Sequence, residues 1–292
     1  MKKVLIVASV VSFIEWFNKE NIEYLRTELG CEVHIACNFD YMDDTDEERT
    51  KTYLDRICAQ GVILHNIHFA RTPLNSDNMA AYSELKKIIR RQRFDLIHCH
   101  TPTASILTRL AAREARKAGC IVMYTCHGFH FHNAAPKRNW IIYYPVEFFC
   151  SRFCDYLVTI NQEDYRRAQT FHTKNVRYIP GVGVDISRIE ETTVDRAAYK
   201  KSIGIPENCI MLLSVGEMIE RKNHEVIIRA LGNLQNKNIY YVICGKGPLK
   251  EYLSNLAIQL GIADRVVFLG FRKDIPELCN TSDISAFPSK IE

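Results

Sequence analysis

The sequence predicts an α/β protein made of two Rossmann-like domains, each a parallel sheet with helices on both faces. Three observations carry this reading. Short runs rich in Val, Ile and Leu alternate with amphipathic stretches along the whole chain. The runs are continuously apolar, as strands buried on both faces must be. The alternation breaks once, at Ile179-Pro180-Gly181-Val182-Gly183-Val184-Asp185, and then restarts. Pro and two Gly suit neither a strand nor a helix interior, so this stretch reads as a hinge between a domain at 1–185 and a second at 186–292.

The elements follow in order. Runs at 4–8, 32–36, 62–67, 95–99, 121–125 and 156–160 read as strands bounded by polar turns, with amphipathic helices at 83–91 and 104–117 among the segments between them. The opening Met1-Lys2-Lys3-Val4-Leu5-Ile6-Val7-Ala8 has the basic-then-apolar look of an export signal. Glu15 and Lys19 interrupt it, and it reads as a buried first strand. Beyond the hinge, strands are expected at 210–215, 240–244, 266–269 and 284–287, and helices at 225–234 and 248–260. The first domain has a full set of elements. The second has few strands and no closing helix.

Composition narrows the class. At 292 residues, 47% hydrophobic and 25% charged, the chain is a globular protein and not a disordered one. Its 38 basic and 34 acidic residues leave +4, too mild to suggest a nucleic-acid partner. Eleven cysteines, odd in number and without a Cys-x-x-Cys pair, fit reduced thiols packed as small apolar side chains in the cytoplasm. No apolar stretch approaches the ~20 residues that span a bilayer.

Open parallel sheets bind ligands beyond the carboxyl ends of their strands, so polar residues there matter most. In the second domain Ser214-Val215-Gly216-Glu217-Met218-Ile219-Glu220-Arg221-Lys222-Asn223-His224 follows a strand and opens a helix. Glycine lets the backbone turn, the helix N-terminus offers unpaired N–H groups, and Arg221 and Lys222 add positive charge. A solvated basic pair in a loop fits this stretch equally well. Cys244-Gly245-Lys246-Gly247-Pro248-Leu249 repeats the pattern, and two successive turns of this kind point to an anionic ligand such as a nucleotide diphosphate. In the first domain His127 ends the strand at 121–125. Taken alone, it reads first as a hydrogen-bonded structural imidazole. His98 and His100 flank Cys99 at another strand end, and His130 and His132 alternate in an extended segment. Imidazole and thiolate are zinc ligands, but the spacing matches no recognised site and no metal is expected. The acidic stretch at 40–48 reads as a solvated loop and helix start. Basic stretches at 86–93 and 137–144 fit contact with anionic lipid. For the second, a helix packed in the first domain's core is the other reading.

Several motifs occur in order in the second half: Gly216…Lys222-Asn223…Ala230-Leu231, Gly245-Lys246-Gly247-Pro248, Val267-Phe268-Leu269-Gly270, and Ser282-Asp283-Ile284-Ser285-Ala286-Phe287-Pro288-Ser289…Glu292. Together they resemble the donor domain of the family-four retaining glycosyltransferases, which have the two-domain GT-B architecture. The first half carries His127-Gly128-Phe129-His130-Phe131, Asn139-Trp140…Tyr144-Pro145…Glu147, Asp155-Tyr156-Leu157-Val158-Thr159-Ile160-Asn161 and Pro180-Gly181-Val182-Gly183-Val184-Asp185. These resemble the family's bacterial exopolysaccharide and capsule branch.

The resemblance implies two Rossmann-like domains facing a cleft, with an acceptor-side domain at 1–185 and a nucleotide-sugar domain at 186–292. The implied reaction moves a sugar with retention from a UDP-sugar or other nucleotide-sugar to a polysaccharide or lipid-linked acceptor. It implies no metal or other cofactor. The scattered thiols suggest a cytoplasmic protein, and the basic stretches allow peripheral contact with the inner face of the membrane. His127 and Glu292 would be catalytic, and Gly216, Glu217, Arg221, Lys222, Gly245, Gly247, Ser289 and Glu292 would hold the donor. The family commonly has Arg where Glu217 stands, and Ser9-Val10-Val11-Ser12-Phe13 lacks the glycines frequent in that loop. Glu292 would be the first carboxylate of a Glu-x7-Glu motif. The second carboxylate would then lie past the end, so a C-terminally truncated second domain with little transfer activity is expected. The rival readings are a nucleotide-sugar epimerase of the same architecture and a non-catalytic nucleotide-sugar-binding remnant.

Overall fold

The computed structural model describes residues 1–40, 47–70, 75–184, 186–234 and 236–290. The chain divides into two compact units, Met1–Gly183 and Val184–Glu292. The first holds seven strands: β1 (Lys3–Val10), β2 (Glu32–Asn38), β3 (Ile63–Asn66), β4 (Leu96–Cys99), β5 (Ile121–Cys126), β6 (Tyr156–Thr159) and β7 (Asn175–Tyr178). They form one sheet in the order β3-β2-β1-β4-β5-β6-β7, and each neighbouring pair is parallel. The order reverses between β1 and β4, the switch point where such sheets leave room for a ligand.

Side-chain parity explains the layers. Along β1, Val4, Ile6 and Ala8 face one core, with Val33, Ile35 and Cys37 of β2. Leu5 and Val7 face the other, with Leu85, Ile89, Ile97 and Val122. Alternate residues of a strand point to opposite faces, so a strand apolar at every position needs cover on both sides.

The stretch at 104–117, expected as one helix, is two: Pro102–Ala111 and Arg113–Lys117, with a step at Ala112. The first carries Arg109 at 0% exposure. Its guanidinium donates to Glu147 at 2.8 Å and to the Ser105 carbonyl at 3.1 Å, and lies 4.4 Å from the Tyr124 ring centre. A buried charge is tolerable when paired and hydrogen-bonded in this way, so the pair ties this helix to Lys137–Cys150.

The second unit contains β8 (Ile210–Val215), β9 (Ile239–Cys244), β10 (Val266–Gly270) and β11 (Ile284–Ser285), in the order β10-β9-β8-β11, again parallel. Tyr241 and Ile243 pack on one side with Ile228, Leu231 and Leu253. Val242 and Cys244 pack on the other with Met211, Leu213 and Leu278. The run expected as a strand at 284–287 is only two residues long. Ala286 still donates to the Leu213 carbonyl at 2.7 Å, but Pro288 has no N–H with which to continue. All eleven cysteines are free thiols.

Candidate functional site

In the second unit the two glycine turns are built against each other at the carboxyl edge of the sheet. Gly216 N donates to the Cys244 carbonyl at 2.8 Å, Met218 N to Lys246 O at 2.8 Å, and Leu249 N to Met218 O at 3.1 Å. The turns thus prolong the β8–β9 pairing past the strands. This closeness explains two glycines. A Cβ on Gly245 would lie 1.9 Å from the Gly216 carbonyl oxygen, and one on Gly247 2.5 Å from Met218 O. Gly216 differs from its expected role. It lies outside the positive-φ glycines, and a Cβ there would make ordinary 3.6 Å contacts with Cδ and Cε of Lys222. It is a seat for the Lys222 stem more than a turn that only glycine can make.

Lys222 closes the short 3-10 turn Glu220–Lys222, and its Nζ stands 5.0 Å from the Phe287 ring centre. The segment after β11 is stitched to this turn. Asn223 Nδ2 donates to Pro288 O at 3.1 Å, Lys290 N to Arg221 O at 2.9 Å, and Ser214 Oγ to Ala286 O at 2.6 Å. Gly216, Glu217, Arg221, Lys222, Gly245, Gly247 and Ser289 therefore share one edge of the sheet, around the β8–β11 switch point. Glu217 and Arg221 are exposed there. Helices His224–Asn233 and Lys250–Gln259 start directly behind the two turns, so backbone N–H groups open onto the same edge. Glu292 and Asp185 lie outside the described residues, as do 41–46 of the acidic stretch. Glu47 begins the helix that follows it.

In the first unit His127 follows β5 and meets a cluster that sequence reading did not assemble. Its Nε2 is 3.3 Å from Nδ1 of His100, which follows β4. Phe13 stands edge-on to the His127 ring at 4.7 Å, and Phe17 lies at 5.4 Å. The His98 ring is 4.1 Å from that of His100, and its Nε2 bonds the Thr125 hydroxyl at 2.8 Å. Ser9, near the end of β1, and Thr101, after β4, are joined by a 2.7 Å hydroxyl–hydroxyl bond, with Thr101 at φ 58°. A β-branched residue seldom adopts that conformation, so the loop is held by its surroundings. Burial keeps these imidazoles neutral: His127 is pushed down to about 4, His98 to about 3 by burial and then by His127, and His100 well below its usual value. Among the described residues no group of three or more His, Cys, Asp or Glu is placed to hold a metal ion.

The pH consequence has a definite sign. Unfolded histidines take up a proton below about pH 6.5 while these stay neutral, so stability is present above that pH and is lost as pH falls toward about 4. Urea unfolding across this window is expected to show stability dropping by up to about 1.4 kcal/mol per pH unit for each such histidine. His98→Asn is expected to remove one histidine's share. A profile unchanged by that substitution contradicts the assignment.

Two units of parallel sheet, each with its loops gathered at a switch point, are the GT-B architecture of glycosyltransferases. Anabaena HepE, crystallised with UDP and glucose, superposes with a TM-score of 0.72 over 99% of this chain and 74% of its own, at 18% identity. WaaG, a glycosyltransferase involved in lipopolysaccharide biosynthesis, gives 0.66 over 98% and 75%, at 15% identity. At such identities the likeness shows the fold.

The chain belongs to the family-4 glycosyltransferases. The family described as Glycosyltransferase Family 4 matches residues 14–188, and Glycosyl transferases group 1 matches residues 195–292. EpsD of Bacillus subtilis strain 168, which carries a glycosyltransferase name, is 35% identical over 99% of this chain and 73% of its own length. The UDP-Gal:α-D-GlcNAc-diphosphoundecaprenol α-1,3-galactosyltransferase of Escherichia coli is 27% identical over 73% of this chain and 56% of its own. Among the described residues, no helix is long and apolar enough to cross a membrane.

Proposed function

We propose that the protein transfers a sugar, with retention, from a UDP-sugar to a growing glycan or lipid-linked oligosaccharide in exopolysaccharide or capsule synthesis. The observation that carries this is the interlocked pair of glycine turns with Lys222 seated across Gly216. Close backbone approach, two helix N-termini and a cation at one sheet edge suit a diphosphate, whose charge grows as it leaves the sugar. Ser289 and Glu292 belong to the segment that follows β11 and would contact the donor. UDP in HepE and the diphosphoundecaprenol substrate of the Escherichia coli relative support the choice of donor and acceptor.

His127 would act from the first unit as a neutral hydrogen-bond donor. His100 Nε2 is buried without a partner among the described residues. Leaving an acceptor unpaired costs less than burying an orphan N–H, so the shared proton belongs on His100 Nδ1, facing His127 Nε2. The proton of His127 then sits on its Nδ1, available to a sugar hydroxyl. His100 is thus a positioning residue.

Product analysis with UDP-sugars and lipid-linked acceptors tests the reading. Turnover is expected to release UDP and lengthen the acceptor by a sugar of the donor's anomeric configuration. A sugar altered but still on its nucleotide overturns it in favour of epimerisation.

A further inference from the structure

The helix Lys137–Cys150 is apolar on two faces. Trp140, Tyr143, Tyr144 and Phe148 pack on the first unit's core, with Glu147 buried beside them. On the other side Ile141 (74% exposed), Ile142 (47%), Val146 and Phe149 (48%) stand in water. Steps of three and four place these residues, with Pro145, in one stripe along the helix. A helix apolar all round is ordinarily buried all round, and a contiguous exposed apolar stripe marks a surface that something covers.

The charges around the stripe indicate what covers it. Exposed Lys137 and Arg138 open the helix, and exposed Arg152 follows its end. The Arg152 guanidinium lies 5.5 Å from the Phe149 ring centre, and Arg113 lies 4.8 Å from that of Phe153, a ring 5.4 Å from Phe149. Arg116 donates to the Arg152 carbonyl at 3.2 Å, while Lys86 and Arg90 join through Glu114. Cations therefore rim the stripe at both ends, and the carboxylates among them, Glu114 and Asp155, are each paired to an arginine.

We propose that this face, the stripe of Ile141, Ile142, Val146 and Phe149 with Lys137, Arg138 and Arg152, seats the first unit on an anionic bilayer. The apolar side chains enter the headgroup–acyl boundary and the cations reach the lipid phosphates. An apolar protein partner would account for the stripe but not for cations at both its ends. The sequence suggested contact at 86–93 or 137–144. The structure specifies the outer face of one helix, and the proposal does not depend on catalysis.

The test is co-sedimentation of the purified chain with vesicles of mixed phosphatidylglycerol and phosphatidylcholine, and with phosphatidylcholine alone. Binding is expected to the anionic vesicles and to fall with added salt. Ile141→Glu/Phe149→Glu and Lys137→Glu/Arg138→Glu are each expected to lower the partition coefficient about tenfold or more. Ile258→Glu, at an exposed residue of the second unit, is expected to leave it unchanged. Circular dichroism establishes that each variant is folded. Equal binding to both vesicle types, or full binding by the folded stripe variant, overturns the proposal. So does a stripe variant that only abolishes self-association in sedimentation velocity, which would assign the face to a second copy of the chain.

Discussion

Gly245→Ala is expected to unseat both glycine turns and melt the second unit early. The added carbon would meet the Gly216 carbonyl oxygen at 1.9 Å, and a backbone atom cannot swing aside as a side chain can. Relief requires moving one turn off the other, which breaks the bonds from Gly216 N to Cys244 O and from Gly245 N to Gly270 O, both 2.8 Å. The cost is about 3 kcal/mol or more, a fall of roughly 12 °C for a unit of this size. Gly216→Ala is the control, because its Cβ meets only the Lys222 stem at 3.6 Å. That variant is expected to keep its melting temperature while disturbing Lys222. Calorimetric scans of the two checks this, and equal losses would show that the turns are not interlocked as described.

His127→Ala is expected to lower turnover by about a hundredfold or more while leaving thermal stability nearly unchanged. The ring is only half-buried, against Phe13 and Phe17, so little packing is lost at neutral pH, and below about pH 6.5 its removal also removes the destabilisation of an imidazole that burial holds neutral. His100→Asn is expected to lower kcat with little change in KM for the donor, since it acts through the orientation of His127. A variant at 127 that loses stability but keeps full activity per folded molecule would return this residue to a structural role.

The fold was legible because parallel strands buried on both faces leave continuous apolar runs, and most of the strands stood out in that way. β7 did not. Asn175-Val176-Arg177-Tyr178 is a four-residue edge strand with Arg177 exposed, so it carries none of the apolar density that marked the others. The donor-side edge was legible through its glycines and basic residues, which recur at fixed places after strands. The reasons behind individual glycines were not, since Gly245 and Gly247 owe their identity to contacts between two loops distant in sequence. The histidine cluster was half legible. His98, His100 and His127 each sit at a strand end, but only the β4–β5 pairing brings His100 beside His127, and only the helix after β1, at Val11–Phe17, adds Phe13. The helix at 137–150 admitted two readings because both of its faces are apolar, and the structure shows one on the core and the other exposed.

The central claim is that a nucleotide diphosphate binds at the interlocked turns of the second unit. The most direct measurement is a titration of the 15N-labelled chain with UDP, following backbone amide shifts. The largest saturable shifts are expected at Gly216, Gly245, Gly247 and Ser289, with affinity reduced roughly ten- to a hundredfold by Lys222→Ala, the worth of a charge-assisted contact. Saturable shifts confined to other surfaces, or an affinity unchanged in the folded Lys222→Ala variant, would contradict the claim.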